Sequence, residues 1–328
     1  MPLGEFELIE KYLAPLSAGL LGAFGLRDDA ACLAVPAGQE LVLTSDAFVS
    51  GIHFLDSDGP ERIARKLLRV NLSDLAAKGA KPYAYQLSLG LPGSPEEGWI
   101  AAFTAGLAAD QAAFGIQLSG GDTVRSPGGL VLSITALGLV PAGGMIRRNG
   151  ARAGDALFVT GSIGDAWLGL EAKLGRLALT GAAARHCDQR LHLPEPRLGF
   201  GRGLRGLANA AMDVSDGLLQ DAGHLSRTAG LGAVIDTAAV PLSEPVRAFP
   251  DLVPRLLPKL LAGGDDYEIL FAAPPEMASA IQALGEATAT PVTRIGAIVP
   301  EPGLWLQDAA GQRLLLNQGQ GSGGYQHF

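Results

Sequence analysis

A two-domain α/β (α+β) protein is what this sequence predicts, and three observations carry that prediction. The chain has 328 residues, too many for one ordinary core and suited to two domains of ~100–200 residues each. Apolar runs of strand length alternate with longer segments of helical periodicity in both halves. The alternation breaks at the turn-rich Pro141-Ala142-Gly143-Gly144, which sets the domains at 1–143 and 144–328.

In the first domain Glu40–Ser45 reads as a strand. Pro60–Gly79 reads as a helix, because Pro60 suits a first turn, where its missing N–H costs nothing. Ile63, Leu67, Val70 or Asn71, and Asp74 recur at helical spacing, so Asp74 falls near the end of the inner face. Tyr83–Leu91 follows as a strand, Glu96–Phe114 as a helix and Leu130–Val140 as a strand. The second domain opens after Arg147–Gly154 with a strand at Ala156–Thr160 and helical patterns at Asp165–Gly175 and Arg197–Ala208. A short apolar run then leads into Asp213, followed by a helix over Gly217–Ala229 and strands near Ala233–Asp236, Glu268–Ala272 and Val292–Ile298. Gly319–Gly324 reads as a flexible linker to Tyr325-Gln326-His327-Phe328.

Composition narrows the function. Hydrophobic residues make up 48% and charged residues 18%, a balance that builds packed cores rather than disorder. The net charge of −8 repels phosphate backbones, and no basic stripe offsets it, so nucleic acid is not an expected partner. No apolar run approaches the ~18–20 residues of a spanning helix, and the opening MPLGEFELIEKY lacks the order of a signal peptide. A cytoplasmic protein with no membrane partner is expected. Cys32 and Cys187 lie far apart without metal-ligand spacing, which argues against a disulfide framework or a zinc site. Glycine, 45 of 328, is about twice its usual ~7% share, and implies many turns or close ligand approaches.

The chemistry lies in six short aspartate-bearing segments at the edges of apolar runs. They are Arg27-Asp28-Asp29-Ala30, Thr44-Ser45-Asp46, Asn71-Leu72-Ser73-Asp74, Gly120-Gly121-Asp122-Thr123, Met212-Asp213-Val214-Ser215-Asp216-Gly217 and Gly263-Gly264-Asp265-Asp266-Tyr267-Glu268. A carboxylate beside a buried strand is desolvated and repels its neighbours unless cations compensate, so a convergent set is a natural Mg²⁺ cage. Because Mg²⁺ takes one or two carboxylates per ion plus phosphate oxygens, several aspartates imply several ions on a polyphosphate.

Each segment also has a plainer reading. Asp122 after two glycines fits a turn, Asp216 before Gly217 fits a helix cap, and Asp74 can pair with Lys78 one turn on. The glycine pairs at 120–121 and 263–264 free backbone N–H groups for phosphate or simply make turns. His53 is a substrate contact or a satisfied histidine near the core, Arg148 a phosphate clamp or a solvated basic turn, and Tyr325 a stacking ring or an anchor for the tail. The P-loop, protein-kinase, HExxH and GxSxG signatures are absent from the sequence. The GxGxxG at Gly201–Gly206 follows no strand and lies in a helical pattern, so it is read as chance.

Taken together, these segments resemble the thiamine-monophosphate kinase family, in the superfamily of aminoimidazole ribonucleotide synthetase and selenophosphate synthetase. The resemblance runs from Gly4-Glu5-Phe6-Glu7-Leu8-Ile9 through the aspartate segments, Gly51-Ile52-His53-Phe54-Leu55 and Val70–Leu75 to Gly324-Tyr325-Gln326-His327-Phe328. It implies an aminoimidazole ribonucleotide synthetase-like fold, with a first sheet domain that dimerises through its sheet and a second α/β domain beside it. It implies ATP-dependent phosphorylation of thiamine monophosphate to thiamine diphosphate where the two domains meet, by a homodimer. By that similarity Asp29, Thr44, Ser45, Asp46, Asp74, Asp122, Asp213 and Asp216 hold several Mg²⁺ ions, with Asp46, Asp122 and Asp216 at the reaction centre. Gly121, Asp122, Arg148 and Ser215 fall on the ATP side, and His53, Asp265 and Tyr325 on the thiamine side.

This chain departs from the family at two positions: Arg27 stands where a glycine is usual, and Asp265 where a glutamate is usual. The chemistry agrees with the resemblance independently. A phosphate acceptor has a second pKa of about 6, so it needs no general base at neutral pH, and the want of an obvious catalytic histidine is expected. Direct in-line transfer from the γ-phosphate follows. Two other readings stand beside this one: another ATP-using synthetase of the superfamily, and a non-catalytic, metal-stabilised nucleotide-binding protein. Selenophosphate-type chemistry is disfavoured, since no cysteine precedes Cys32.

Overall fold

The computed structural model describes residues 3–249 and 253–316. It divides into two compact units, Met1–Leu75 with Ala80–Gly143, and Ala76–Gly79 with Gly144–Phe328. In the first, helix α1 (Glu5–Leu8) leads through short helical turns to β1 (Gln39–Val49), α2 (Pro60–Ala77), β2 (Lys81–Leu91), α3 (Glu97–Phe114), β3 (Gln117–Arg125) and β4 (Val131–Pro141). The strands form a sheet of order β1-β4-β2-β3, antiparallel except for the β2/β3 pair, whose parallel run is closed by the α3 crossover.

Burial alternates strictly along β4, with Leu132, Ile134, Ala136 and Val140 on the covered face. Helix α2 lies on that face, where the Leu75 side chain reaches the position a Cβ would take at Gly138. Helix α3 packs against α2 at Gly106, where a Cβ would lie 2.5 Å from the Glu61 carbonyl oxygen. An ion pair locks the two helices: Asp110, wholly buried, accepts from Arg69 Nε at 2.7 Å and from Arg65 Nε at 3.0 Å. Two donors aimed at one carboxylate offset its desolvation, and losing one partner of such a pair costs about 3–5 kcal/mol.

The second unit runs β5 (Ala156–Thr160), α4 (Asp165–Lys173), α5 (Gly181–His192), α6 (Leu198–Leu204), β6 (Ala210–Asp213), α7 (Leu218–Thr228), β7 (Gly232–Asp236), α8 (Glu244–Arg247), α9 (Val253–Ala262), β8 (Ile269–Ala273), α10 (Ala278–Ala287), β9 (Val292–Val299), β10 (Gly303–Gln307) and β11 (Arg313–Leu316). Its sheet has the order β11-β10-β7-β9-β5-β8-β6. The central β5 and β8 are buried along their whole length, so they read as continuous apolar runs. Phe158 and Phe271 stack between them at 5.2 Å.

Several details differ from the sequence reading. The Gly120-Gly121-Asp122 segment is not a turn but the middle of β3, and Ser45 and Asp46 lie inside β1 rather than at its end. Gly201 and Gly203 of the GxGxxG stretch lie on α6, as its helical pattern indicates. A Cβ at Gly201 would lie 1.9 Å from the Ala76 carbonyl oxygen, so close packing requires that glycine. Among the described residues no helix is long and apolar enough to cross a membrane.

Candidate functional site

In the first unit, sheet register sets candidate residues in shared rows, on the two edge strands β1 and β3. Asp46 pairs with Ile134 on β4, Ile134 with Leu87 on β2, and Leu87 with Gly121 on β3. One row up, Ser45, Thr135, Gln86 and Gly120 line up in the same way, and the Ser45 and Thr135 hydroxyls lie 3.1 Å apart. Period-2 alternation places Thr44 and Asp46 on the face covered by α2, while Ser45 points to the opposite face. The predicted Thr44-Ser45-Asp46 ligand set is thus split across the sheet.

Asp74, from the end of α2, accepts a hydrogen bond from the Thr44 hydroxyl. Burial, and then the Asp74 charge beside it, push the Asp46 carboxyl up to about 7.

Asp122 lies with Asp28 and Asp29 along a cleft of about 470 Å³, walled by Ser88 on β2 and Gly120 and Gly121 on β3, with Ile9 and Leu13 of the N-terminal segment on its apolar side. Gly121 runs so close to β2 that a Cβ would sit 1.8 Å from the Leu87 carbonyl oxygen. Only glycine lets β3 approach β2 there. His53 is half-buried; its ring stacks on Phe48 at 5.5 Å and its Nδ1 accepts the Val49 N–H at 3.1 Å. A satisfied histidine near the core is what these contacts describe.

In the second unit two predicted segments lie side by side. The N–H groups of Asp265 and Tyr267 donate to the carbonyls of Ser215 and Val214, both at 2.8 Å, and Val214 N–H donates back to Glu268. Asp213 is buried at the end of β6, and Ser215 and Asp216 follow it in the turn before α7. Asp265 and Tyr267 both take left-handed backbone conformations, at φ 71° and 50°, and the Tyr267 hydroxyl donates to Asp265 at 3.2 Å. Arg148 is exposed at the start of a single helical turn, near enough to Asp221 to draw its pKa down against the stronger effect of burial.

The cap reading of Asp216 gives way to another arrangement. The residue that receives the turn's free N–H groups is Asp221, buried one turn into α7, whose Oδ2 accepts from Ser215 and Asp216, each at 3.1 Å. Burial, and then the charge of Asp216, push Asp221 up to about 7. Sequence reasoning missed Asp221; its signal was an acidic residue in the first turn after Asp216-Gly217. It also missed Arg190 and Arg197, which close on Glu268 from α5 and from the residue before α6. Tyr325 lies outside the described residues. Among the described residues no three His, Cys, Asp or Glu side chains gather closely enough to hold a metal by themselves.

Comparison with known proteins follows the same lines. Residues 27–140 match the AIR synthase related protein N-terminal domain, and 152–308 match the C-terminal domain of the same family. The thiamine-monophosphate kinase of Caulobacter vibrioides is 44% identical over 307 residues, covering 92% of this chain and 86% of that protein. That of Salmonella typhimurium is 39% identical over 90% of each. The crystal structure of the Stenotrophomonas maltophilia thiamine-monophosphate kinase superposes with a TM-score of 0.81 at 40% identity, covering 93% of this chain and 97% of that one. AaThiL complexed with AMPPCP and TMP gives 0.78 at 29% identity over 99% and 97%.

Proposed function

The chain belongs to the thiamine-monophosphate kinase family of AIR synthase related proteins, and we propose that it transfers the γ-phosphoryl group of ATP directly to thiamine monophosphate, forming thiamine diphosphate. The observation that carries the proposal is the Asp46–Asp74 corner. A carboxyl held up to about 7 by burial and by a second carboxyl is a place where a divalent cation relieves the repulsion. Mg²⁺ needs only one or two carboxylates when phosphate oxygens and waters complete its shell, so pairs of aspartates fit it without a closed protein cage.

In the first unit the proposed ligands form two groups, Thr44, Asp46 and Asp74 on the face covered by α2, and Ser45 with the cleft residues Asp29 and Asp122 on the other, and in the second unit they are Asp213 and Asp216. When bound, the ions supply positive charge to the transferring phosphoryl group. The chain's own work is positioning. Gly121 and Asp122 are assigned to the ATP side with Ser215 and the exposed Arg148 as further donors, and His53 and Asp265 to the thiamine side. The acceptor phosphate is largely ionised at neutral pH, so no side chain has to take its proton. In-line attack without a covalent enzyme intermediate is therefore the proposed step.

We assign the active form as a homodimer built on the open face of the first sheet. The test is ADP release with Mg²⁺ and a panel of phosphorylated metabolites, for the wild type and Asp46→Asn. Turnover with thiamine monophosphate alone, reduced about 100-fold or more in the variant, is expected. Turnover with another phosphate ester in its place, or retention of configuration at phosphorus, overturns the reading.

A further inference from the structure

We propose that Arg190 is a positioning residue for the substrate side of the site: from α5 it braces the Gly263–Glu268 segment so that Asp265 is presented in its left-handed conformation. The inference rests on the assignment of Asp265 to the thiamine side. Its ground is a set of contacts on the far side of the segment from Val214 and Ser215. A single nitrogen of Arg190, Nη2, donates to the Asp266 carbonyl and to Glu268 Oε1, each at 2.8 Å. Glu268 is wholly buried and saturated by further donors. Arg197 meets it bidentately, at 2.7 Å on each oxygen, and the Thr160 hydroxyl donates at 2.7 Å. The Asp266 carboxyl accepts the Gly164 N–H at 2.9 and 3.0 Å.

These contacts fall on alternate groups of one short segment. The N–H groups of Asp265 and Tyr267 are tied to the turn that carries Ser215, and the Asp266 carbonyl between them is tied to Arg190. Non-glycine residues at φ 71° and 50° persist only where the surroundings over-determine them. Glu268 cannot supply that restraint at Asp266, being held by Arg197 and Thr160 on the other arm of the segment. Arg190 alone in this set joins the backbone at Asp266 to the buried carboxylate, and so transmits the rigidity of the ion network to the Asp266–Tyr267 peptide, which lies between the two left-handed residues. Arg197 anchors Glu268 itself and so stabilises the unit; Arg190 aims the loop.

The experiment compares Arg190→Met, Arg190→Lys, Asp265→Ala and the Arg190→Met/Asp265→Ala double variant, after thermal melting has shown each to be folded. For Arg190→Met, KM for thiamine monophosphate should rise at least about tenfold, with ATP-analogue affinity within about twofold of wild type. Arg190→Lys, which keeps one donor, should recover part of the loss. Because Arg190 acts through Asp265, adding Arg190→Met to Asp265→Ala should leave KM where Asp265→Ala alone puts it. Independent multiplication of the two effects, or an unchanged KM in folded Arg190→Met, overturns the proposal. Hydrogen exchange of residues 263–268 decides the bracing without any turnover: faster exchange in the methionine or lysine variant supports it, and exchange matching wild type sinks it. If the wild type does not turn over thiamine monophosphate, the functional assignment fails while the exchange result still stands or falls alone.

Discussion

Asp46 combines two signals that a sequence displays separately: an aspartate at an apolar strand, and a second aspartate a helix away. Their combination has a measurable consequence. A carboxyl pushed up to about 7 retains a proton through much of the mildly acidic range, and a cation that takes its place must displace that proton. Magnesium titrations in buffers of different ionisation enthalpy, with an ATP analogue present, should register release of up to about one proton from Asp46 near about pH 6.5 and none from it near about pH 9. The terminal phosphate of the nucleotide releases its own proton in both proteins, so Asp46→Asn should lower the release near about pH 6.5 below that of wild type and leave the value near about pH 9 unchanged; equal release by variant and wild type at both would remove Asp46 from the metal site. How legible such residues are from sequence depends on what fixes them. Asp46, Asp74 and Asp122 stand out because carboxylates are conspicuous at apolar edges. Asp221 and Arg190 do not, because their significance is a hydrogen bond to the backbone of a distant turn, and nothing local announces it.

At the level of elements, local rules carry the helices furthest. Helix α2 begins at the expected Pro60 and ends at Ala77, two residues short of the expected Gly79, because its start and its buried stripe are both written locally. Strand β3 escapes such reading: Gly120 and Gly121 depress strand propensity, and the segment is extended because β2 pairs with it across an α3 crossover. Helix α9 escapes for a different reason, since it carries Pro258 in its interior, and a proline signals an end rather than a middle. The loop between α9 and β8 bears a prediction of its own. Asp266 is wholly buried, and burial above all holds its carboxyl well above the ordinary carboxylate range. Such a group stabilises the fold while protonated, and the contribution is lost as pH rises from the unfolded value through the folded one. Asp266→Asn keeps an acceptor for the Gly164 N–H without a charge to bury. Urea unfolding at a series of pH values should show the variant level with wild type in acid and more stable by about 1–2 kcal/mol above neutrality. A gap that stays constant with pH would mean that the buried carboxyl does not titrate as described.

For the molecule as a whole, sheet order decides which distant residues share a row, and no local pattern encodes it: Asp46 and Gly121, on opposite edge strands, fall in one row only through β4 and β2. The same sheet has a second face, and its chemistry argues for an assembly. Opposite Thr44 and Asp46, Leu41 pairs with Leu139 and Leu43 with Leu137 across β1 and β4, and Leu43 is 63% exposed. Four leucines in two adjacent cross-strand pairs, Leu43 exposed and the other three half-buried, form an apolar surface that a monomer leaves partly in water, and burying what remains exposed is favourable at about 25 cal/mol per Å². A two-fold axis through that face lets the same leucines of two copies meet, which is the self-complementarity that a closed dimer requires. Sedimentation equilibrium should accordingly give twice the chain mass of 33.7 kDa for the wild type and the single chain mass for Leu43→Glu combined with Leu137→Glu. The substitutions lie on solvent-directed positions of their own sheet, so the variant should remain folded by circular dichroism. A wild type that sediments as a single chain at micromolar concentration, or a doubly substituted protein that remains paired, would place the dimer contact elsewhere or abolish it.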